Sequence, residues 1–122
     1  MPEPAFHDHV LTGRLLAALW TVRLLGNGGG TPPDGEEFLA KKVPAHLVSG
    51  GLRSLTDHLM AARGRGDDRW EAAVEVYREI ADLLPKKLWN DTMSPGEQKA
   101  FAGGYTEQRA AHAEKYGKLL ER

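Results

Sequence analysis

Two histidines, His7 and His9, flank Asp8 near the start of the chain, and their types suggest metal or acid–base chemistry. Ligation needs side chains that converge, and on a helix positions i and i+2 point in different directions. His46, His58 and His112 are scattered, and no His-Glu-x-x-His pattern sets two imidazoles on one helical face. The spacing predicts a solvated terminus and no metal site. The paired carboxylates Glu36-Glu37 and Asp67-Asp68 fall at expected helix starts, where the helix dipole accounts for them. Ser49, Ser54 and Ser94 lack the strand-to-helix elbow that a nucleophilic serine needs. With no cysteine at all, thiolate nucleophiles, disulfides and soft metal sites are excluded. The residues predict no catalytic centre and no cofactor.

Cationic side chains offer a different chemistry. Arg63, Arg65 and Arg69 cluster around a glycine-containing turn, and Lys86-Lys87 stand at the far end of the helix that follows. Arginine offers several donors, and glycine lets a backbone come close, so an Arg-Gly-Arg turn suits phosphate. Lys41-Lys42 and Arg53 join one cluster if the helices pack antiparallel. The plain reading of the same residues is solvated surface. Trp20, Trp70, Trp89, Tyr77, Tyr105 and Tyr116 fall mostly on apolar faces and are expected in the core.

Helices must position these groups. From Phe6 to Leu25 apolar residues are dense, and Leu11, Leu15, Ala18, Leu19 and Val22 follow the three-and-four spacing of a wide buried stripe. Gly26 to Gly35 ends that helix as a flexible loop or linker, since Pro32-Pro33 cannot continue it. It is no phosphate-binding loop, because no Lys-Ser/Thr follows and no strand precedes. A short helix is expected over Glu36 to Lys42, stopping before Pro44. Ala45 to Arg63 reads as another piece, with Gly50-Gly51 either breaking it or admitting a close neighbour. Asp67 or Asp68 suits the N-cap of a helix running to about Leu84, whose face is Trp70, Val74, Tyr77, Ala81 and Leu84. Lys86 to Met93 is a connection. Ser94-Pro95-Gly96-Glu97 is a capping box that opens the last helix, along which Phe101, Tyr105, Gln108, His112, Tyr116 and Leu119 recur. Gly103-Gly104 within it implies another helix crossing tightly. Leu15, Leu19, Trp70, Val74, Tyr77, Phe101 and Tyr105 are expected to be buried together.

This pattern is all-α, a compact bundle of four to five helices, with residues 1–122 forming one domain. No apolar run approaches the roughly 20 residues of a membrane span. The first nine residues show no basic stretch of a signal peptide, so a reducing cytoplasm is expected. Sixteen basic and seventeen acidic side chains nearly cancel, which argues against tight stand-alone nucleic-acid binding. A protein that acts by binding other macromolecules fits best.

Two segments resemble a known family. Gly13-Arg14-Leu15-Leu16-Ala17-Ala18-Leu19 is similar to the Gly-Arg-Leu-Leu-Ala-x-Leu stretch in the C-terminal region of the large subunit of type I-C CRISPR Cascade complexes. Glu97-Gln98, then Phe101, Gly104-Tyr105 and Gln108, resembles that region's Glu-Gln…Phe-x-x-Gly-Tyr-x-x-Gln pattern, and Pro44 and His58-Leu59 fit the layout between. Trp20 stands where an acidic residue is usual, Thr106-Glu107 where an aromatic and a histidine are usual, and the glycine-rich loop is unlike the family. That region is also made separately, as the Cascade small subunit. A chain with Met1 shortly before the first motif is similar to that product.

The resemblance implies a non-catalytic helical subunit. Its partners would be the Cascade large and backbone subunits, further copies of itself, and crRNA-guided target DNA through the displaced strand. Arg63, Arg65, Arg69, Lys86 and Lys87 are the residues expected to meet phosphate. The alternative is a helical adaptor for protein–protein contact with no nucleic-acid role.

Overall fold

Leu15, Ala18, Leu19 and Val22 share a face of the first helix, yet Leu16, Ala17, Thr21 and Leu24, on its other faces, are buried too. A helix apolar all round has no solvent side, so the remaining elements must enclose it. The computed structural model describes residues 3–26 and 30–120, with side chains from Phe6 onward. It contains α1 (Glu3–Gly26), a 3₁₀ turn (Gly35–Phe38), α2 (Pro44–Arg53), α3 (Leu55–Arg63), α4 (Asp67–Leu83) and α5 (Pro95–Leu120). Helix α1 touches each of the other four helices, and the fold is all-α with no strand among the described residues. No helix among them is long and apolar enough to cross a membrane.

The contacts fix the direction of each helix against α1. Glu97 lies 3.4 Å from His9 and His112 lies 2.7 Å from Thr21, so α5 runs parallel to α1. Gly51 packs on Leu19 and the His58 carbonyl sits over Gly26, so α2 and α3 run the same way. Helix α4 returns antiparallel. Arg69 at its start reaches the carbonyl of Leu25, and Trp89 beyond its end donates its indole N–H to Asp8 at 3.0 Å.

The α1–α5 crossing is the closest. A Cβ on Gly13 would strike the backbone of Phe101 and Tyr105, and one on Gly104 would strike the backbone of Val10. Glycine at both positions lets the helix backbones approach, although each costs about 1 kcal/mol of helix propensity relative to alanine. Gly103, its neighbour, faces open space. Only one glycine of the expected pair serves the crossing.

Several expectations need correction. The segment after Pro33 is no flexible linker: Tyr105 donates its hydroxyl to the Pro33 carbonyl at 2.7 Å, and Phe38 is buried against Phe101 and Tyr105. Residues 27–29 of that loop lie outside the described residues. The helix expected over Glu36 to Lys42 is one 3₁₀ turn, opened by an Asp34–Glu37 capping box and ended at Leu39. The piece expected from Ala45 to Arg63 begins with Pro44 in its first turn and breaks at Ser54, while Gly50-Gly51 stays helical. Gly66, not an aspartate, caps α4. Its φ of 116° suits glycine, and Asp67 and Asp68 occupy the first turn, where their charge meets the helix dipole.

The buried face of α4 is Ala72, Ala73, Val76 and Ile80, with Trp70 and Val74 half-buried and Tyr77 half-exposed. Small side chains let α4 approach α1, and the larger apolar residues were displaced to its flank. Of the terminus expected to be solvated, Phe6 and His7 are exposed, but Asp8 and His9 are buried beneath Trp89. Ser94 does cap the last helix: its N–H donates to Glu97 at 2.8 Å, and the Glu97 N–H returns to its hydroxyl at 3.3 Å.

The adjacent glycines of α5 supply a paired test. Gly104→Ala should destabilise the protein by about 1–3 kcal/mol, because its methyl overpacks a backbone crossing. Gly103→Ala should stabilise it by about 0.5–1 kcal/mol, since it gains helix propensity in open space. Urea titration of both variants measures the signs, and equal signs would contradict this packing.

Candidate nucleic-acid interface

The two resembling segments meet in space. Beside the packing of Gly13 on Phe101 and Tyr105, Arg14 donates to the Gln108 side-chain oxygen at 3.1 Å and to Glu107 at 2.5 Å. Arginine can only donate, which fixes the orientation of the Gln108 amide. Its NH₂ group therefore faces His112 Nε2 at 2.9 Å, and in the neutral ring that nitrogen accepts from it; a proton placed there would go to Glu79 at 3.1 Å instead. The ring proton then sits on Nδ1 and is donated to the Thr21 hydroxyl at 2.7 Å, which in turn donates to the Ala17 carbonyl at 3.1 Å. This chain runs from the half-exposed Arg14 to the buried centre of α1. The motif residues thus do structural work, and none presents a reactive group to solvent.

The five cations expected to meet phosphate occupy two ends of α4, about 25 Å apart for a helix of 17 residues. At the first end, Arg65 donates to the Gly26 carbonyl at 2.9 Å and Arg69 to the Leu25 carbonyl at 3.4 Å. These are carbonyls at the C-terminus of α1, which lack partners within the helix and carry its negative dipole. Burial, and then the charge of Arg65, lower the pKa of Arg69. Arg63 is exposed and lies over the Trp70 ring at 5.8 Å. Sequence spacing alone could not separate Arg63 from Arg65 and Arg69, because the carbonyls that engage the latter two come from a helix some 40 residues earlier.

At the other end, Lys87 sits 3.9 Å over the Trp89 ring, and Lys86 is exposed. The Ala45 N–H donates to the Trp89 carbonyl, and the Met93 N–H to that of Lys42. Lys41 and Lys42 therefore join Lys86 and Lys87 at this end, as the sequence anticipated for the first pair. Arg53, at the end of α2, does not belong to it.

No protein-family model matches the chain, nor does any curated protein or any solved structure. The residues themselves must carry the functional reading. Among the described residues no group of three or more histidines or carboxylates converges on a point that could hold a metal.

One cation was missed by sequence reasoning. Arg23 lies 4.5 Å over the ring of Trp20, and both line a cleft of about 500 Å³ between α1 and the α2–α3 pair. The spacing i, i+3 of a tryptophan and an arginine is the signal that could have found it.

The polar chain has a measurable consequence. Burial lowers the pKa of His112, and Arg109 and Lys115 act the same way, while Glu79 at 3.1 Å opposes them. Glu79, which favours a proton on Nε2, is partly solvated, so burial outweighs it and the lowered value prevails. The unfolded chain titrates this residue near 6.5. Between that value and the folded one the unfolded state holds more protons. The contribution of neutral His112 is thus complete above pH 6.5 and lost as pH falls through the folded value. Stability measured from about pH 7 down to about pH 5 should fall less steeply in His112→Asn than in wild type. Identical slopes would contradict the neutral assignment.

Proposed function

We propose that this chain is a non-catalytic helical subunit of a type I CRISPR Cascade effector complex, acting in the cytoplasm on the displaced strand of the opened target. The observation that supports it most is the meeting of the two resembling segments at one crossing, with Gly13 against Phe101 and Tyr105 and Arg14 bonded to Gln108. Residues that match a family pattern far apart in sequence are explained together when that crossing is what the pattern preserves. Its partners would be the large and backbone subunits and further copies of itself.

Such a role suits the charge. Exchanging a DNA duplex for a guide–target heteroduplex is nearly balanced, so modest contacts to the displaced strand tip it. A chain of net charge −1 with cations gathered at two ends can supply them once assembly holds it near the strand. Arg63, Lys86 and Lys87 project from the surface, whereas Arg65 and Arg69 donate to carbonyls at the end of α1.

The second reading, a protein–protein adaptor without a nucleic-acid role, is favoured by one feature. Leu52, Leu55, Tyr77, Ile80, Ala81 and Leu84 line an apolar groove between the α2–α3 joint and α4, and Tyr77 and Leu84 are half-exposed there.

A gel-shift titration of reconstituted effector separates the two. Replacing Arg63, Lys86 and Lys87 by alanine should weaken target binding irrespective of target sequence, because phosphate contacts position a strand without reading it. The slope of log affinity against log salt should become shallower by about 2, at roughly 0.7 per lost single-strand contact. Assembly should be unaffected. Equal affinities and slopes would favour the adaptor.

A further inference from the structure

The cleft between α1 and the α2–α3 pair has the build of a small-molecule site, and none of the five cations at the ends of α4 lines it. Leu16, Leu19 and Leu47 supply aliphatic surface, and Trp20, Arg23, Ser54 and His58 supply ring and polar groups. Its volume of about 500 Å³ is within the range of pockets that enclose a ligand of a few rings.

Three observations indicate what such a ligand would be. First, the Arg23 guanidinium carbon lies 4.5 Å from the centre of the Trp20 ring, and among the described residues no carboxylate lies within ion-pair distance of it. A stacked guanidinium keeps its edge for a planar anion, and a phosphate accepts two of its N–H groups at once. Second, Ser54 occupies the joint of α2 and α3 without using its hydroxyl to cap either helix, and His58 stands one turn further on. Burial and the nearby Arg23 lower the pKa of His58 against the opposing pull of Asp57, so its ring is available as a neutral hydrogen-bonding group. Third, Gly50 lies at the cleft, where a Cβ would meet nothing within 4 Å. Gly51 is explained by its contact with Leu19; Gly50 has no such packing reason, and it keeps the mouth of the cleft open.

We infer that this cleft binds one nucleotide unit, its phosphate on Arg23 with Ser54 and His58, and its base against Trp20, Leu16, Leu19 and Leu47. The ligand chemistry is a nucleoside phosphate, free or within a single strand. Stacking on tryptophan and arginine is indifferent to base identity, so the site would hold a strand without reading it. Within the proposed effector this gives the displaced strand a point of attachment additional to the ends of α4. The cleft does not require that setting, however, because all its residues belong to this chain.

The test uses the isolated full chain. Thymidine 5′-monophosphate, a short oligothymidylate and inorganic phosphate are titrated separately while the indole, Ser54 and His58 resonances are followed by NMR. Gly50→Leu fills the mouth, and as it gains helix propensity its melting temperature should equal or exceed that of wild type. Arg23→Gln removes the charge. The mononucleotide and the oligothymidylate should both shift Trp20, and each variant should weaken both ligands about tenfold or more. If the mononucleotide binds no more tightly than inorganic phosphate, the base makes no contribution and the inference falls. It also falls if oligothymidylate binding survives Gly50→Leu intact. Neither result bears on the effector reading, which stands or falls on Arg63, Lys86 and Lys87 in the assembled complex.

Discussion

The structure depends on the burial of α1 from all sides. A helix whose leucines and alanines point in every direction leaves little beyond half-buried Arg14, Trp20 and Arg23 within reach of water past its first turns, so the rest of the chain must wrap it. The other helices contribute what that wrapping requires. Helix α5 presents Gly104 where the backbones nearly touch, α4 presents Ala72 and Ala73, and α2 presents Gly51 to Leu19. The polar groups carried on α1 must also be satisfied in the interior. Asp8 is met by Trp89, and Thr21 by its own helix and His112. Arg65 and Arg69 close the C-terminal end of the same helix. Residues that look like surface cations in the sequence thus complete the backbone hydrogen bonding of the core element.

Whatever was local in origin was legible in the sequence. The capping box at Ser94 and the end of α1 at Gly26 rest on neighbours within a turn, and the all-α class follows from periodicity. The phase of α4 was not legible. Trp70, Tyr77 and Leu84 are the larger apolar residues, and size suggested a buried face, yet the face turned inward is Ala72, Ala73, Val76 and Ile80. The break at Ser54 carries no proline or glycine to announce it. Asp8 and His9 read as a solvated terminus because nothing local shows that Trp89 and Glu97, some 80 residues later, cover them. The candidate site divides in the same way. Arg63, Lys86 and Lys87 are exposed as expected, but the roles of Arg65 and Arg69 depend on carbonyls placed by tertiary packing. Arg23 was overlooked because it sits in the densest apolar segment.

Function, on this account, comes from what wrapping leaves over. The motif residues are consumed by the α1–α5 crossing, and they support the proposed Cascade role by their joint placement and not by any exposed chemistry. Exposed Arg63, Lys86 and Lys87 at the ends of α4, and the Trp20–Arg23 cleft, are the groups proposed to meet phosphate. Both are weak, sequence-indifferent devices, as befits a chain of nearly zero net charge that would be held near its strand by other subunits.

Native-state hydrogen exchange tests the central claim most directly, because it reports the opening of each helix separately. If α1 is the enclosed element, the amides of Leu15 to Leu25 should exchange only through global unfolding. Their exchange free energies should match the stability from urea titration, with α2 and α3 opening at lower cost. Exchange of the α1 amides through local opening, at free energies well below global stability, would contradict the account.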